Sequence, residues 1–299
     1  MTLLQLVQAA CGEMGLPQPN AVASSTDLQV LQILALMNKV GSDIITNENW
    51  EGLDKEYRFN TVVYSLAGAT TSGSAIVTGI SSTSGITAGT FMCTGTGIPA
   101  DTYVNSVDSS TQVTLSNPAT NSGTVTLVFT QTKYSMPSDF DRVVNRTQWD
   151  KTNHWELMGP KSPQEWQYLK GGIVSTGPRM RYRIRQGYFE IWPPTTTASQ
   201  LGFEYISTGW VNSASGTAKS SFTADDDTCI FRDRTMISGV KFEFYNIKGF
   251  DTTSLSRDYY MQVQKEMALD HAAPTLSLAA SNAPMFISPG SIPESGYGT

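Results

Sequence analysis

From residue 66 to residue 132 the chain carries only two charges, Asp101 and Asp108, and Ser or Thr fills 26 of the 67 positions. Such a stretch disfavours helix, because β-branched side chains lose rotamer freedom in a helix and Ser competes for backbone hydrogen bonds. Short β-branched or aromatic runs at 74–80, 90–93, 103–107, 112–116 and 124–129 alternate with turn residues at 85–89, 95–99, 108–110 and 117–123. That rhythm points to a small sandwich or barrel, and its regular alternation argues against a disordered linker. The flanks read differently, with Leu, Met, Gln, Lys and acids at helical spacing. Residues 65–133 are therefore expected to be a β domain spliced into a host domain made of 1–64 and 134–277. An insert of this kind adds a surface and leaves the scaffold's job unchanged.

The 299 residues allow about two domains with real cores. A net charge of −6 and a pI near 5.0 argue against a groove that holds nucleic acid by neutralising phosphates. They are compatible with a wall that DNA slides past. Cys11, Cys93 and Cys229 are odd in number and far apart, so neither a disulfide framework nor a zinc site is expected, and a reducing compartment fits. The first residues lack a basic leader, and no run reaches the roughly 18 apolar residues that span a bilayer.

The host segments carry helix signals. Thr2 and Gln5 have capping-box spacing, Leu3, Leu6, Val7, Ala10 and Met14 form a stripe, and Gly15 ends it. A second helix is expected from Asp27 to Asn47 on a stripe through Leu28, Leu31, Leu34, Ala35, Ile44 and Ile45, with Trp50 and Leu53 packing its end. Residues 57–66 alternate as one strand. Residues 148–155 and 162–169 read as turns or short helical pieces, the latter with Pro163 at the first helical position. Residues 179–184, 188–192 and 201–206 read as a β-meander. Asp225, Asp226 and Asp227 precede a helix to Lys248 with Ile230, Ile237, Val240, Phe244 and Ile247 on its stripe. Asp251 or Thr252 caps a last helix along Leu255, Tyr259, Val263 and Met267. The expected class is α+β: a four-helix bundle host with β-hairpins and a meander, an inserted Ig-like sandwich or small barrel, and an extended C-terminal arm over 278–299.

Signals for catalysis are few. His154 and His271 show no metal-ligand spacing, there is no GxSxG elbow, and Gly95-Thr-Gly97 leads into Ile98-Pro99 rather than a helix. His154 reads as a loop packing residue. No enzymatic activity, cofactor or metal is expected. The Asp225–Asp227 triplet could hold a divalent cation, but an N-cap with acids complementing the helix dipole explains it more simply. Arg179, Arg181, Arg183 and Arg185 share one face if they lie on a strand. They suit an inter-subunit salt-bridge strip better than a nucleic-acid grip, given the acidic balance. Met285, Phe286, Ile287 and Ile292 in the arm are candidate partner contacts, because apolar side chains in a Pro/Gly/Ser setting gain burial only against another surface.

The runs LLQLVQAACGEMGLPQP, LQILALMNKVG and ENWEGL, then YSMPSDFDRVVNRTQWD, WELMGPKSPQEWQYLK, FEYIS and FTADDDTCIF, resemble in order the head-to-tail adaptor proteins of short-tailed bacteriophages. The resemblance covers residues 2–64 and 134–278. The insert is similar to small β modules of phage structural proteins and departs from the shorter adaptors. The resemblance implies a structural virion protein at the neck between head and tail, made in the host cytoplasm. It implies a homo-oligomeric ring, commonly twelvefold, that binds the portal protein and the tail nozzle or tube protein. DNA would pass through without sequence-specific binding, and no membrane is involved. The alternative is a tail component whose β insert binds a host receptor or glycan.

Overall fold

The computed structural model describes residues 1–47, 49–171 and 179–270. Among them are five helices: α1 (Leu3–Met14), α2 (Leu28–Asn47), α3 (Pro163–Lys170), α4 (Asp233–Ile247) and α5 (Thr253–Asp270). The chain is mixed α+β, and its sheets are small and antiparallel.

Local signals set the ends of α1 and α3. Thr2 Oγ1 accepts the Gln5 N–H at 3.4 Å and Gln5 Oε1 accepts the Thr2 N–H at 3.1 Å, while Gly15 turns left-handed (φ 71°) to end α1. Ser162 and Glu165 make the same reciprocal pair at the start of α3, with Pro163 following. In α2 the buried face is Val30, Ile33, Leu36, Met37, Val40, Gly41 and Ile44. The expected stripe is thus rotated: Leu28 is 82% exposed and Leu31 40%. Apolar residues surround the first two turns of α2, so spacing alone does not choose a face; the packed partner does. By length and mean hydropathy α2 could cross a bilayer, a test that buried core helices also pass.

Helix α4 lies against α1, α2 and α5. The four share a core with Trp50, Leu53, Ile206, Trp210, Val211, Phe222 and Phe231. Trp210 is wholly buried, donates its indole N–H to Ser220 O at 2.8 Å, and meets Phe222 edge-on at 5.1 Å. Its ring rests on Gly41 so closely that a Cβ there would lie 2.1 Å from Cη2.

After α2, strand β1 (Asp54–Asn60) belongs to the host, and β2 (Val63–Thr70) opens the insert. The single strand expected over 57–66 therefore breaks at Thr61, which pairs with Ser199 in the host through both its N–H and its hydroxyl. The insert continues with β3 (Ile76–Val77), β4 (Phe91–Gly95), β5 (Val104–Ser109), β6 (Gln112–Leu115) and β7 (Gly123–Gln131). They form two three-stranded sheets, β2-β7-β4 and β3-β6-β5, whose margins are joined only by the single bridges Ala69–Thr78 and Met92–Tyr103. Val77, Ile80, Phe91, Cys93, Val113, Leu127 and Phe129 fill a core of the insert's own. Its two ends meet. The Gln131 N–H donates to Val62 O at 2.9 Å, and the Tyr134 hydroxyl accepts from Val62 N–H and donates to Gln131 O.

The host resumes with β8 (Lys133–Ser135), β9 (Phe140–Val143), β10 (Trp149–Asp150), β11 (Trp155–Glu156), β12 (Arg181–Arg185), β13 (Tyr188–Trp192), β14 (Gln200–Ser207), β15 (Val211–Asn212), β16 (Ala218–Lys219) and β17 (Thr228–Cys229). The expected meander is divided between two sheets. The β12–β13 hairpin pairs with β8, whereas β14 pairs with β1, β9 and β10. These sheets face one another across an aromatic core: Tyr182 stacks on Phe189 at 5.0 Å and Phe189 on Phe203 at 5.1 Å. Residues 148–155 form no helical piece; Asp150, buried, accepts the N–H groups of Thr152 and Asn153 and turns the β10–β11 hairpin. His154 there is exposed and left-handed (φ 57°), not packed.

Two helical glycines should respond oppositely to alanine. At Gly12 a Cβ would meet only Gln18 Nε2 at 3.5 Å, so Gly12→Ala should stabilise by about 0.5–1 kcal/mol. At Gly41 the same propensity gain is outweighed by the Trp210 clash, and Gly41→Ala should destabilise by about 1–3 kcal/mol. Urea melts of both variants check this; equal shifts would place Trp210 elsewhere.

Candidate interaction surfaces

Strand periodicity puts Arg181, Arg183 and Arg185 on one face of β12, opposite Trp192, Glu190 and Tyr188 of β13. The other face sends Tyr182 and Ile184 into the aromatic core. Arg179 precedes the strand and is exposed. Arg185 is committed within the chain: its Nη2 donates to both oxygens of Glu190, at 2.8 and 3.1 Å, and that carboxylate is almost wholly buried. Arg181 Nη1 is buried without an acceptor. Met285, Phe286, Ile287 and Ile292 lie outside the described residues.

The arginine face adjoins a seam where insert and host meet. From the insert come Met92, Tyr103 and Asp101; from the host come Trp166 and Leu169 of α3 and Trp192 of β13. Lys170, at the end of α3, hydrogen-bonds the Tyr103 hydroxyl and lies 3.4 Å from Asp101 Oδ1. Its ammonium sits 4.6 Å from the Tyr103 ring centroid, 5.7 Å from Trp192 and 5.9 Å from Trp166; Lys133 approaches Tyr103 at 5.4 Å. Burial lowers the Lys170 pKa, partly opposed by Asp101 and Glu190. Burial raises that of Tyr103, reinforced by Asp101 and Glu190. The Tyr103 hydroxyl therefore keeps its proton at neutral pH. Trp166 Nε1, Trp192 Nε1 and Thr195 Oγ1 are buried there without partners. Sequence inspection missed this seam because its members come from four separate stretches with no shared spacing.

The Asp225–Asp227 triplet does cap a helix, but not the one that follows it. Helix α4 starts later, at Asp233, with Arg232 as its N-cap. Instead Asp227 O and Asp225 O accept the Leu3 and Leu4 N–H groups, capping α1 at 2.8 and 3.1 Å. Asp225 Oδ1 accepts the Val22 and Ala23 N–H groups. Asp227, fully buried, takes Lys219 Nζ at 2.7 Å and the N–H groups of Thr223 and Ala224. Burial raises the Asp227 pKa, but these donors outweigh it and the net shift is downward. Among the described residues no group of three His, Cys, Asp or Glu side chains could hold a metal.

A third surface lies on the helices. The solvent face of α5 runs Arg257, Tyr260, Met261, Gln264, Lys265, Ala268 and Leu269, at spacings of one, three and four residues. Tyr260 is 56% exposed, Met261 44% and Leu269 61%; Ile247 and Phe250, at the corner before α5, are exposed as well. Helix α5 buries Tyr259 and Val263 on its inner side, while its outer face sets Tyr260, Met261, Ala268 and Leu269 among Arg257, Gln264 and Lys265. No protein-family model matches this chain, and no curated protein matches it.

The seam makes Tyr103 a fastening between insert and host. Tyr103→Ala should weaken that joint by about 1–3 kcal/mol, below the cost of truncating a fully buried aromatic. Hydrogen exchange should quicken in α3 and β13 while α1, α2 and α4 keep their protection. Unchanged exchange in α3 would show that the seam carries no strain of the assembly.

Proposed function

We propose that this protein is a structural subunit, an oligomeric ring component that joins portal to tail at a phage neck and lines the DNA exit channel. The observation that carries the proposal is the outer face of α5. That face exposes Tyr260, Met261 and Leu269 beside Arg257, and Tyr, Met and Arg are residue types that protein interfaces favour. Copies in a closed ring would cover this face through a repeating head-to-tail contact. The resemblance to head-to-tail adaptors supports the same reading. So does a net charge of −6, which suits a conduit that DNA crosses without adhering.

Under this proposal α1, α2, α4 and α5 act as the four-helix bundle of the host, and the insert acts as an Ig-like module carried on its outside. The arm, with Met285, Phe286, Ile287 and Ile292, would reach the portal, and Arg179 and Arg183 would be available to a neighbouring subunit or the tail.

The double variant Tyr260→Glu/Leu269→Glu tests the interface. Both positions are solvent-facing, so the monomer's Tm should change little. Assembly should fail, because each carboxylate would be desolvated in the contact. Native mass spectrometry should show rings for the parent chain with portal present and only monomers for the variant. Rings formed equally well by the variant would place the subunit contact elsewhere.

A further inference from the structure

Glu266 of α5 offers more than the fold uses. It is 8% exposed, and its Oε1 accepts the N–H of Arg232, the N-cap residue of α4, at 2.6 Å. Arg232 makes no side-chain cap, and Glu266 accepts its backbone N–H, the part an N3 side chain plays in a capping box. A neutral glutamine would do that as well. The second oxygen, Oε2, is buried without a hydrogen bond, and an unpaired buried acceptor on a charged group is costly.

Glu266 walls a recess of about 200 Å³ with Trp50, Gly52, Ile230, Phe231, Leu269 and Asp270, and Arg232, an exposed residue, stands at the wall this recess shares with the next. That volume far exceeds the roughly 10–15 Å³ one water requires. Asp270 adds a second carboxylate one turn further on, its Oδ2 already holding the Glu51 N–H at 2.7 Å. The last turn of a helix also carries partial negative charge. On its other side Glu266 borders a recess with Arg232, Arg234 and Lys265. Arg234 is taken by Glu13 and Asp258, and neither Arg232 nor Lys265 forms an ion pair with Glu266 among the described residues.

We infer that this recess is a socket for an arginine side chain presented by a docking polypeptide. The guanidinium would donate to Glu266 Oε2, and the aliphatic stem would lie along Trp50, Ile230 and Leu269. Arginine fits because its planar, weakly hydrated group suits buried carboxylate pairing. The inference does not rest on the ring proposal, although Leu269 borders both the socket and the outer face of α5.

The probe is N-acetyl-arginine methylamide, titrated into the full chain and followed by amide NMR shifts at Gly52, Phe231 and Leu269. The neutral isostere N-acetyl-citrulline methylamide should bind at least about tenfold more weakly, the loss of one charge-assisted hydrogen bond. Glu266→Gln keeps the cap on Arg232 and should lose the same preference. Gly52→Met should plug the recess and abolish binding with the fold intact, because a Cβ at Gly52 meets only Ile230 Cδ1 at 3.9 Å. No shifts at these amides, equal binding of the two probes, retained preference in Glu266→Gln, or shifts produced by Mg²⁺ or Ca²⁺ alone would each overturn the assignment.

Discussion

The Asp225–Asp227 turn is the constraint on which the host domain closes. Two of its carbonyls cap α1, the Asp225 carboxylate holds the loop between α1 and α2, and the buried Asp227 carboxylate holds Lys219 and the turn itself. Chain segments separated by more than two hundred residues are thereby fixed before any helix–helix contact is counted. Removing Lys219 would leave the wholly buried Asp227 carboxylate without its cation. Neither the insert nor α5 takes part in this knot, which leaves both free to serve as surfaces.

The insert is spliced at a point that tolerates it. Val62 and Gln131 are adjacent and shared by one tyrosine hydroxyl, so the host loses no register where the module enters. The insert also has its own core, yet it does not hang freely. Tyr103, Met92 and Asp101 lock onto α3 and β13, in a seam where aromatic rings pack around the Lys170 ammonium. A module fixed in this way transmits orientation, which a flexible tether would not.

What was legible in the sequence was local. The capping box at Thr2, Pro163 at the start of α3 and the strands of the insert follow from neighbouring residues, and the structure places them where their spacing predicts. What depended on distant partners was not legible. The buried face of α2 is selected by Trp210 and α4, not by its own periodicity. The Asp triplet has the composition of an N-cap, but the helix it caps lies at the other end of the chain. The arginines of β12 fall on one face as period two requires, while the glutamate that receives Arg185 is set by hairpin register. The outer face of α5 was hidden for a related reason: Tyr260 and Met261 adjoin the core residue Tyr259, and only the packed helix separates inside from outside.

If the proposed role at the neck holds, a neighbouring copy covers the α5 face. An electron cryo-microscopy reconstruction of particles carrying the chain tests it most directly. The expected result is a closed ring between head and tail with Tyr260, Met261 and Leu269 buried at each subunit contact. Density for the chain at fibre tips, or a ring in which those three side chains face solvent, would contradict it.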